Sequence, residues 1–324
     1  MTTLTYPKSS KTAYCFGMVA PSTLHLLSMP YPAANAYAEI GSTLENLAGE
    51  AVAGAWVLQR LGVQTKLDGR WLADSHRSVE LLERLGNCGI NCERLRVEPG
   101  YHPIEEMVIA DGKTRTVLGG YIKILFTEKQ WNAPSEVDIL KTDVVLLDPF
   151  LHAESNLCAQ YCVQHTKPYI TCDTDPMGFI AQNAFATIIS EEYLIREEVK
   201  LLEWAVQAGI EQGNDSHWEF IFALFARKCS GWVIFTFGEE ALWFVEPGDG
   251  NRTRQYYQPK TIQLKDSTGA GDSFRAGFAY GFLQGLRGVE LVTTACAVAG
   301  LVCESFPGVL HSPSEEELAR RMRS

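Results

Sequence analysis

The stretch KDSTGAGDSFRAGF, Lys265 to Phe278, sets Gly269, Ala270 and Gly271 directly ahead of an acid and then runs into a helix-spaced aromatic pattern. Small residues at a helix start leave several N–H groups unpaired, with the positive end of the helix dipole behind them. Such a nest of amides suits a phosphoryl group, and Asp272 stands beside it in position to take a proton. A carboxylate in a first helical turn also serves as a capping charge, so Asp272 taken alone has two readings. Arg275, one turn further on, either reaches an anion or pairs with an acid. Phe274, Phe278 and Phe282 repeat every four positions as a core row, and Gly277, Gly281 and Gly285 form a small-residue row for close packing.

Elements that could hold this turn in place alternate along the chain. AYCFGMVA (13–20) reads as a buried first strand, and GEAVAGAWVLQRLG (49–62) as a helix that stops at Gly62. VQTKLDG is a strand, SHRSVELLERLGNCG a helix and INCERLRVE a strand. DVVLLDPF, KPYITCDTD, FATIIS and GWVIFTFG are further short β-rich runs, most of them separated by helical patterns. Strands alternating with helices of this length predict an α/β fold, a doubly wound and mostly parallel sheet covered on both faces. Two segments break the rhythm. Residues 22–48 carry no clear period, and residues 101–126 hold two alternating runs around a DGK turn, a hairpin signal. Together they predict a small β lid outside the core, placed over the cleft at the carboxyl ends of the strands. The organisation expected is one domain over 1–324 with a discontinuous lid.

At 324 residues, 46% hydrophobic and 21% charged, the chain can bury a sizeable core. A formal charge of −11 argues against a nucleic-acid or membrane-surface partner, since both need a net basic face. The polar amino end lacks a signal-peptide pattern, and the longest apolar run, 291–303, is shorter than the about 20 residues of a membrane span. A cytoplasmic location follows as an expectation. Nine cysteines with no CxxC pair fit reduced thiols. Cys158, Cys162 and His165 fall at metal-compatible helical spacing, as Cys88 and Cys92 stand four apart, but thiolate sites usually draw four ligands from two segments, so core packing is the preferred reading.

The nine residues DSTGAGDSF resemble the carboxyl-terminal signature of the ribokinase-like (PfkB) carbohydrate kinases, D-[ST]-T-G-A-G-D-x-F, followed by a small and aromatic helix. No Walker-type loop is present, and no GxGxxG lies between a strand and a helix. TFGEEALWF (236–244) is similar to the family's strand turn near the nucleotide, with Ala241 for a glycine. CDTDP resembles the D-x-N-P segment with Asp175 for Asn, and AVAGLVCESFPGV (297–309) resembles the helix and loop flanking adenine. The resemblance implies Asp272 as the base toward a substrate hydroxyl, with the amides of Gly269, Ala270 and Gly271 holding the transferring phosphoryl oxygens. It further implies ATP bound near Thr236, Gly238, Thr268 and Gly308, Mg²⁺ arriving with the nucleotide, and Asp266 beside a monovalent cation such as K⁺, with capping or salt-bridging as the alternative role for Asp266. A homodimer formed through the lid is also implied.

The amino-terminal half departs from that pattern. AGEAVAG stands where the family carries Gly-Gly-x-x-x-Asn, putting Ala53 at the Asn position, and Ser22 stands where an Asp is usual. The N-x-x-E motif appears only as SEEY, with Glu191 or Glu192 as stand-ins. Loss of a hydrogen-bonding Asp and Asn changes which acceptor fits. Substitute contacts are expected from Ser22, Gly49, Glu50 and Arg115, with Glu45, Asn46 and His102 also in view, while Tyr31, Tyr37, Tyr101 and Trp71 could stack on a base. The function expected is an ATP-dependent phosphotransferase acting on a hydroxyl of a sugar or sugar-like molecule. A nucleoside kinase of the same family and a catalytically idle nucleotide-binding scaffold are the alternatives.

Overall fold

In the main sheet every second residue of a strand faces one layer of helices and its neighbours face the other, as a sheet covered on both sides requires. The computed structural model describes residues 11–101, 104–121, 129–211, 216–248 and 252–323. Its elements in chain order are β1 (Thr12–Gly17), β2 (Ala20–Leu27), β3 (Ile40–Ala48), α1 (Glu50–Arg60), β4 (Gln64–Gly69), β5 (Leu72–Ala73), α2 (His76–Cys88) and β6 (Val97–Glu98). β7 (Glu106–Ala110), β8 (Arg115–Gly119), α3 (Glu136–Lys141), β9 (Val144–Leu147), α4 (His152–Gln164), β10 (Tyr169–Cys172), α5 (Phe179–Asn183) and β11 (Ala186–Ser190) follow. The chain continues through α6 (Glu191–Gln207), α7 (His217–Lys228), β12 (Trp232–Thr236), β13 (Leu242–Val245), β14 (Gln255–Tyr257), α8 (Ala270–Leu283), α9 (Val289–Cys303) and α10 (Glu315–Arg323).

Eight strands form the main sheet in the order β14-β13-β12-β11-β10-β9-β1-β4. The six from β12 to β4 run parallel, and β13 and β14 add an antiparallel edge. Cys15, Leu67, Leu146 and Ile170 pack with α1, α2, α8 and α9 on one face. Tyr14, Phe16, Val145 and Leu147 pack with α4 on the other, where α6 and α7 cover Ile189, Val233 and Phe235. Gly277 lets α8 and α9 touch: a Cβ there would lie 2.9 Å from the Val298 Cβ.

The lid is a separate four-stranded sheet, β3-β2-β7-β8. Its central pair β2 and β7 is parallel, with antiparallel β3 and β8 outside. The aperiodic 22–48 segment is thus mostly strand. The DGK turn closes the β7–β8 hairpin: Asp111 Oδ1 accepts the N–H groups of Lys113 at 2.9 Å and Thr114 at 2.7 Å, and Gly112 sits at φ 80°. Residues 102, 103 and 122–126 of the expected lid lie outside the described residues.

Two expectations about strands are corrected. The run 13–20 is not one strand. It breaks after Gly17, where Asp148 Oδ2 takes the Met18 N–H at 2.9 Å and a Cβ on Gly17 would lie 1.9 Å from the same oxygen, so the chain crosses at Met18–Val19 into the lid. INCERLRVE forms only the two-residue β6, because Asn91 Oδ1 accepts the Glu93 N–H at 3.1 Å and Leu95 N–H turns back to Cys92 at 2.9 Å. No described helix is long and apolar enough to cross a membrane.

Candidate active site

Gly269 begins the site because its backbone is left-handed, φ 74°, and turns the chain into α8. The side-chain-free position is also needed for space, since a Cβ would lie 2.2 Å from Val309 Cγ2. Of the three expected nest amides, Ala270 N–H folds back to the Ser267 carbonyl at 3.2 Å. The Gly269 and Gly271 N–H groups have no partner among the described residues, and space beside Gly271 is open for at least 4 Å. The nest therefore offers fewer free donors than the sequence suggested, because the turn that builds it consumes one.

Asp272 follows on the first turn of α8, its side chain 22% exposed. Burial raises its pKa from 3.8 to about 6; the nearby Arg275 and Arg115 guanidinia oppose that rise while Asp148 and Asp173 reinforce it. It is ionised at neutral pH and basic enough to accept a proton.

Arg275 pairs with an acid. Its Nη1 donates to Asp148 Oδ1 at 2.8 Å and lies 3.2 Å from Cys172 Sγ, while Nη2 donates to the Glu50 carbonyl at 2.7 Å and stands 3.8 Å from Asp272 Oδ1. Arg275 is 1% and Asp148 0% exposed, so this pair joins α8, the carboxyl end of β9 and the start of α1 inside the protein. Glu50, at that start, has its pKa raised by burial first, then by the Asp148 and Asp272 charges. Gly49 enters α1 at φ 106°, and a Cβ there would meet the Met18 carbonyl at 2.3 Å.

The residues flanking the turn are positioned by Asp266. Its Oδ1 accepts the Thr268 N–H and its Oδ2 the Gly308 N–H, both at 2.9 Å, tying the turn to the loop after α9. Both oxygens of the expected cation ligand are thus engaged with backbone donors. Thr268 Oγ1 is buried without a partner. Thr236 and Gly238 stand at the end of β12, where Thr236 Oγ1 donates to Ile189 O at 3.4 Å and Gly238 has φ 61°. A small cleft between β14 and α9 is lined by Tyr257, Lys260, Ile262, Thr293, Cys296 and Ala297, and the chain runs from it directly into the turn.

Arg115 reaches from the lid to the turn that precedes Asp272. It opens β8 at the hairpin tip, donates from Nη1 to the Ser267 carbonyl, and brings Nη2 within 3.6 Å of Glu192 Oε1. The lid thus delivers a cation to the turn that precedes Asp272. Ser22 and Asn46 are buried as facing residues of β2 and β3, whereas Glu45 on the opposite side of β3 is held by Arg77 at 3.1 Å. Glu191 and Glu192 open α6 behind a Ser190 cap. Tyr37 is 76% and Tyr31 39% exposed, while Tyr101 packs edge-on to Trp71 and beneath Arg70. His102 lies outside the described residues. Cys158 and Cys162 are buried in the core and His165 is 2.6 Å from Glu136, with no group of metal ligands formed among the described residues. Cys88 and Cys92 pack against the core.

Sequence reasoning missed Asp148, which pairs with Arg275 behind Asp272. Asp148 carried a usable signal, an acid closing the apolar strand VVLLD at its carboxyl end, where α/β ligands bind.

A family model described as pfkB family carbohydrate kinase matches residues 30–314. An adenosine kinase of Schizosaccharomyces pombe is 28% identical over 166 residues, covering 48% of this chain and 47% of that protein, so the match spans about half the length of this relative. The structure of Arabidopsis thaliana ribokinase complexed with ribose and ATP superposes with a TM-score of 0.74 at 15% identity, over 97% of this chain and 99% of that one. A Methanocaldococcus jannaschii nucleoside kinase gives 0.72 at 17% identity over 98% and 99%. At these identities the structural matches speak to the fold, a ribokinase-like α/β sheet with a β lid.

Proposed function

The chain belongs to the pfkB family of carbohydrate kinases, a phosphotransferase family, and from that premise we propose that it moves the γ-phosphoryl group of ATP to a hydroxyl of a sugar-like acceptor. The observation that carries this reading is the pairing of a half-buried Asp272, its pKa at about 6, with the free amides of the turn that precedes it. Asp272 takes the proton of the attacking hydroxyl. The Gly269 and Gly271 amides and the dipole of α8 hold the phosphoryl oxygens, and Arg115 adds positive charge from the lid. Phosphoryl transfer depends mainly on positioning and charge stabilisation, which these groups supply without a covalent intermediate.

The chain's residues fit a nucleotide at two places. On this reading the unpartnered Thr268 hydroxyl and the free amides would take the phosphates, the cleft beside α9 would offer Ile262 and Ala297 as apolar walls for the base, and Thr236, Gly238 and Gly308 would supply the remaining contacts. Mg²⁺ would be carried by the nucleotide phosphates and supply charge neutralisation there. A monovalent cation at Asp266 would need its remaining lone pairs, since both oxygens already pin the loop. Met107 and Leu118, register partners 42% and 50% exposed on the outer lid face, support pairing of two lids in a homodimer.

The test is an ATP-consumption screen over sugars, polyols and nucleosides, run beside Asp272→Asn. Acceptor-dependent ATP consumption that collapses in a folded, ATP-binding variant supports the reading. Unchanged turnover in Asp272→Asn removes Asp272 as the base, and no turnover with any acceptor favours an idle relative.

A further inference from the structure

α6 carries two apolar stripes where the fold uses one. Tyr193, Leu194, Leu201 and Ala205 are buried, packed with side chains of α7 and the main sheet. Ile195, Val199 and Val206 stand on the solvent side at 61%, 73% and 65% exposure, with Leu202 half-buried between the last two. Positions 195, 199, 202 and 206 follow the four-three-four spacing that keeps one face of a helix in line. Val and Ile lose rotamer freedom in a helix, so a face meant for water gains nothing from three of them on one line.

The stripe is its own complement. Its spacing reads the same in both directions, so a twofold axis crossing α6 between Lys200 and Leu201 lays it antiparallel on a second copy. Ile195 then meets the partner's Val206, and Val199 the partner's Leu202. The flanking charges obey the same axis. Arg196 and Glu203 each stand one residue past a stripe position, and two turns of helix keep them on one flank. Antiparallel pairing brings Arg196 beside the partner's Glu203, and Glu203 beside the partner's Arg196. Within one chain Glu203 has no ion-pair partner among the described residues, and Arg196 leans on its neighbour Glu197 at 3.2 Å and over the Tyr193 ring. An exposed pair between chain neighbours holds weakly, so Arg196 is available. The opposite flank borders α7, where His217 Nδ1 lies 2.9 Å from Glu198 Oε1.

We propose that α6 is a contact face between two copies of this chain, packed as an antiparallel helix pair about a twofold axis. From Ile195 to Val206 the stripe runs about 16 Å at a rise of about 1.5 Å per residue. A contact of that length is small for a permanent dimer and suits a concentration-dependent one. The stripe is separate from the lid sheet with its exposed Met107 and Leu118, so this pairing is additional to any made through the lids. The first turn of α6 also carries Glu192, whose Oε1 stands 3.6 Å from Arg115 Nη2, so the paired helix is the one that the lid tip touches. The proposal does not depend on the phosphotransfer reading.

The experiment is sedimentation velocity on the full chain across about 1 to 200 μM. The parent is expected to double in mass as concentration rises, with a midpoint on the order of 10 μM. Val199→Lys sits at the most exposed stripe position, so the single chain folds as before, and the doubling is expected to vanish. Arg196→Glu and Glu203→Arg should each weaken association about tenfold, and the two together should restore it to within about twofold of the parent. Leu118→Lys, which disrupts pairing through the lids, should leave the α6 doubling in place. A parent that stays a single chain throughout overturns the proposal, and is the result expected if a different protein covers the stripe. Association unchanged in Val199→Lys also overturns it, as does a double charge exchange that associates no better than either single variant.

Discussion

Arg275 Nη1 and Asp148 Oδ1 meet at 2.8 Å where neither side chain has more than 1% of its surface exposed, and this pair fixes the helix that carries Asp272 against the end of the sheet. Removing one partner leaves the other charge buried alone. Asp148→Ala should therefore cost about 3–5 kcal/mol in urea unfolding, while Asp148→Leu combined with Arg275→Met should recover much of it. A double variant no more stable than the single one would show that the loss came from packing rather than charge.

Asp272→Asn separates catalysis from stability. A carboxyl whose pKa is raised from 3.8 to about 6 binds its proton more tightly in the folded state, so its contribution is fully present below pH 3.8 and lost as pH rises through 6. At pH 8 the ionised form is the disfavoured one, and the amide should raise stability by on the order of 1 kcal/mol or more. Thermal melts of the two proteins at pH 5 and pH 8 check the sign: the gain should shrink at the lower pH. Turnover should fall by about three orders of magnitude or more, since base and charge go together.

The same pKa gives a rate profile. The parent's kcat/KM for its acceptor should rise with pH through a midpoint near 6 as Asp272 ionises, then level off. A flat profile between pH 5 and 7 would exclude this group as the titrating base.

Gly269 and Gly271 should behave oppositely when changed to alanine. At Gly269 the methyl meets Val309 and the backbone is left-handed, so Gly269→Ala should lower the melting temperature clearly. At Gly271 the added carbon meets nothing, and a helical glycine costs about 0.5–1 kcal/mol relative to alanine. Gly271→Ala should thus be as stable as the parent or more so, yet lose about a hundredfold in turnover because the methyl enters the space of the phosphoryl oxygens. Melting curves beside steady-state rates decide both.

Arg115→Ala should weaken the link between the lid and the Ser267 carbonyl. A loss of about ten- to hundredfold in kcat/KM is expected, with stability nearly unchanged because the side chain is partly exposed and its pair with Glu192 is at the surface. Arg115→Lys should recover only part, since a single ammonium cannot donate to Ser267 and stand beside Glu192 as a fork does.

How much of this was legible in the residues varies along the chain. The alternation of VVLL, ATII and WVIF with helical stretches could only bury itself as a parallel sheet between helices, and DGK between alternating runs could only be a hairpin. The order Gly-Ala-Gly-Asp at a helix start likewise dictates free amides beside an acid, because both follow from local backbone geometry. The break after Gly17 was hidden, since the side chain that ends the strand, Asp148, is 130 residues away.

Sequence by itself therefore settled what depends on neighbours along the chain: strand, helix, turn, and the juxtaposition of Asp272 with its nest. Tertiary structure decided everything that depends on which charges share a space. It gave Arg275 to Asp148, sent Arg115 to the Ser267 carbonyl, set Glu106 opposite Ser22 and lifted the Asp272 pKa. The physical reason is that burial and Coulomb energy act through distance in space, and a linear order of residues does not contain those distances until the lid and sheet have closed on one another.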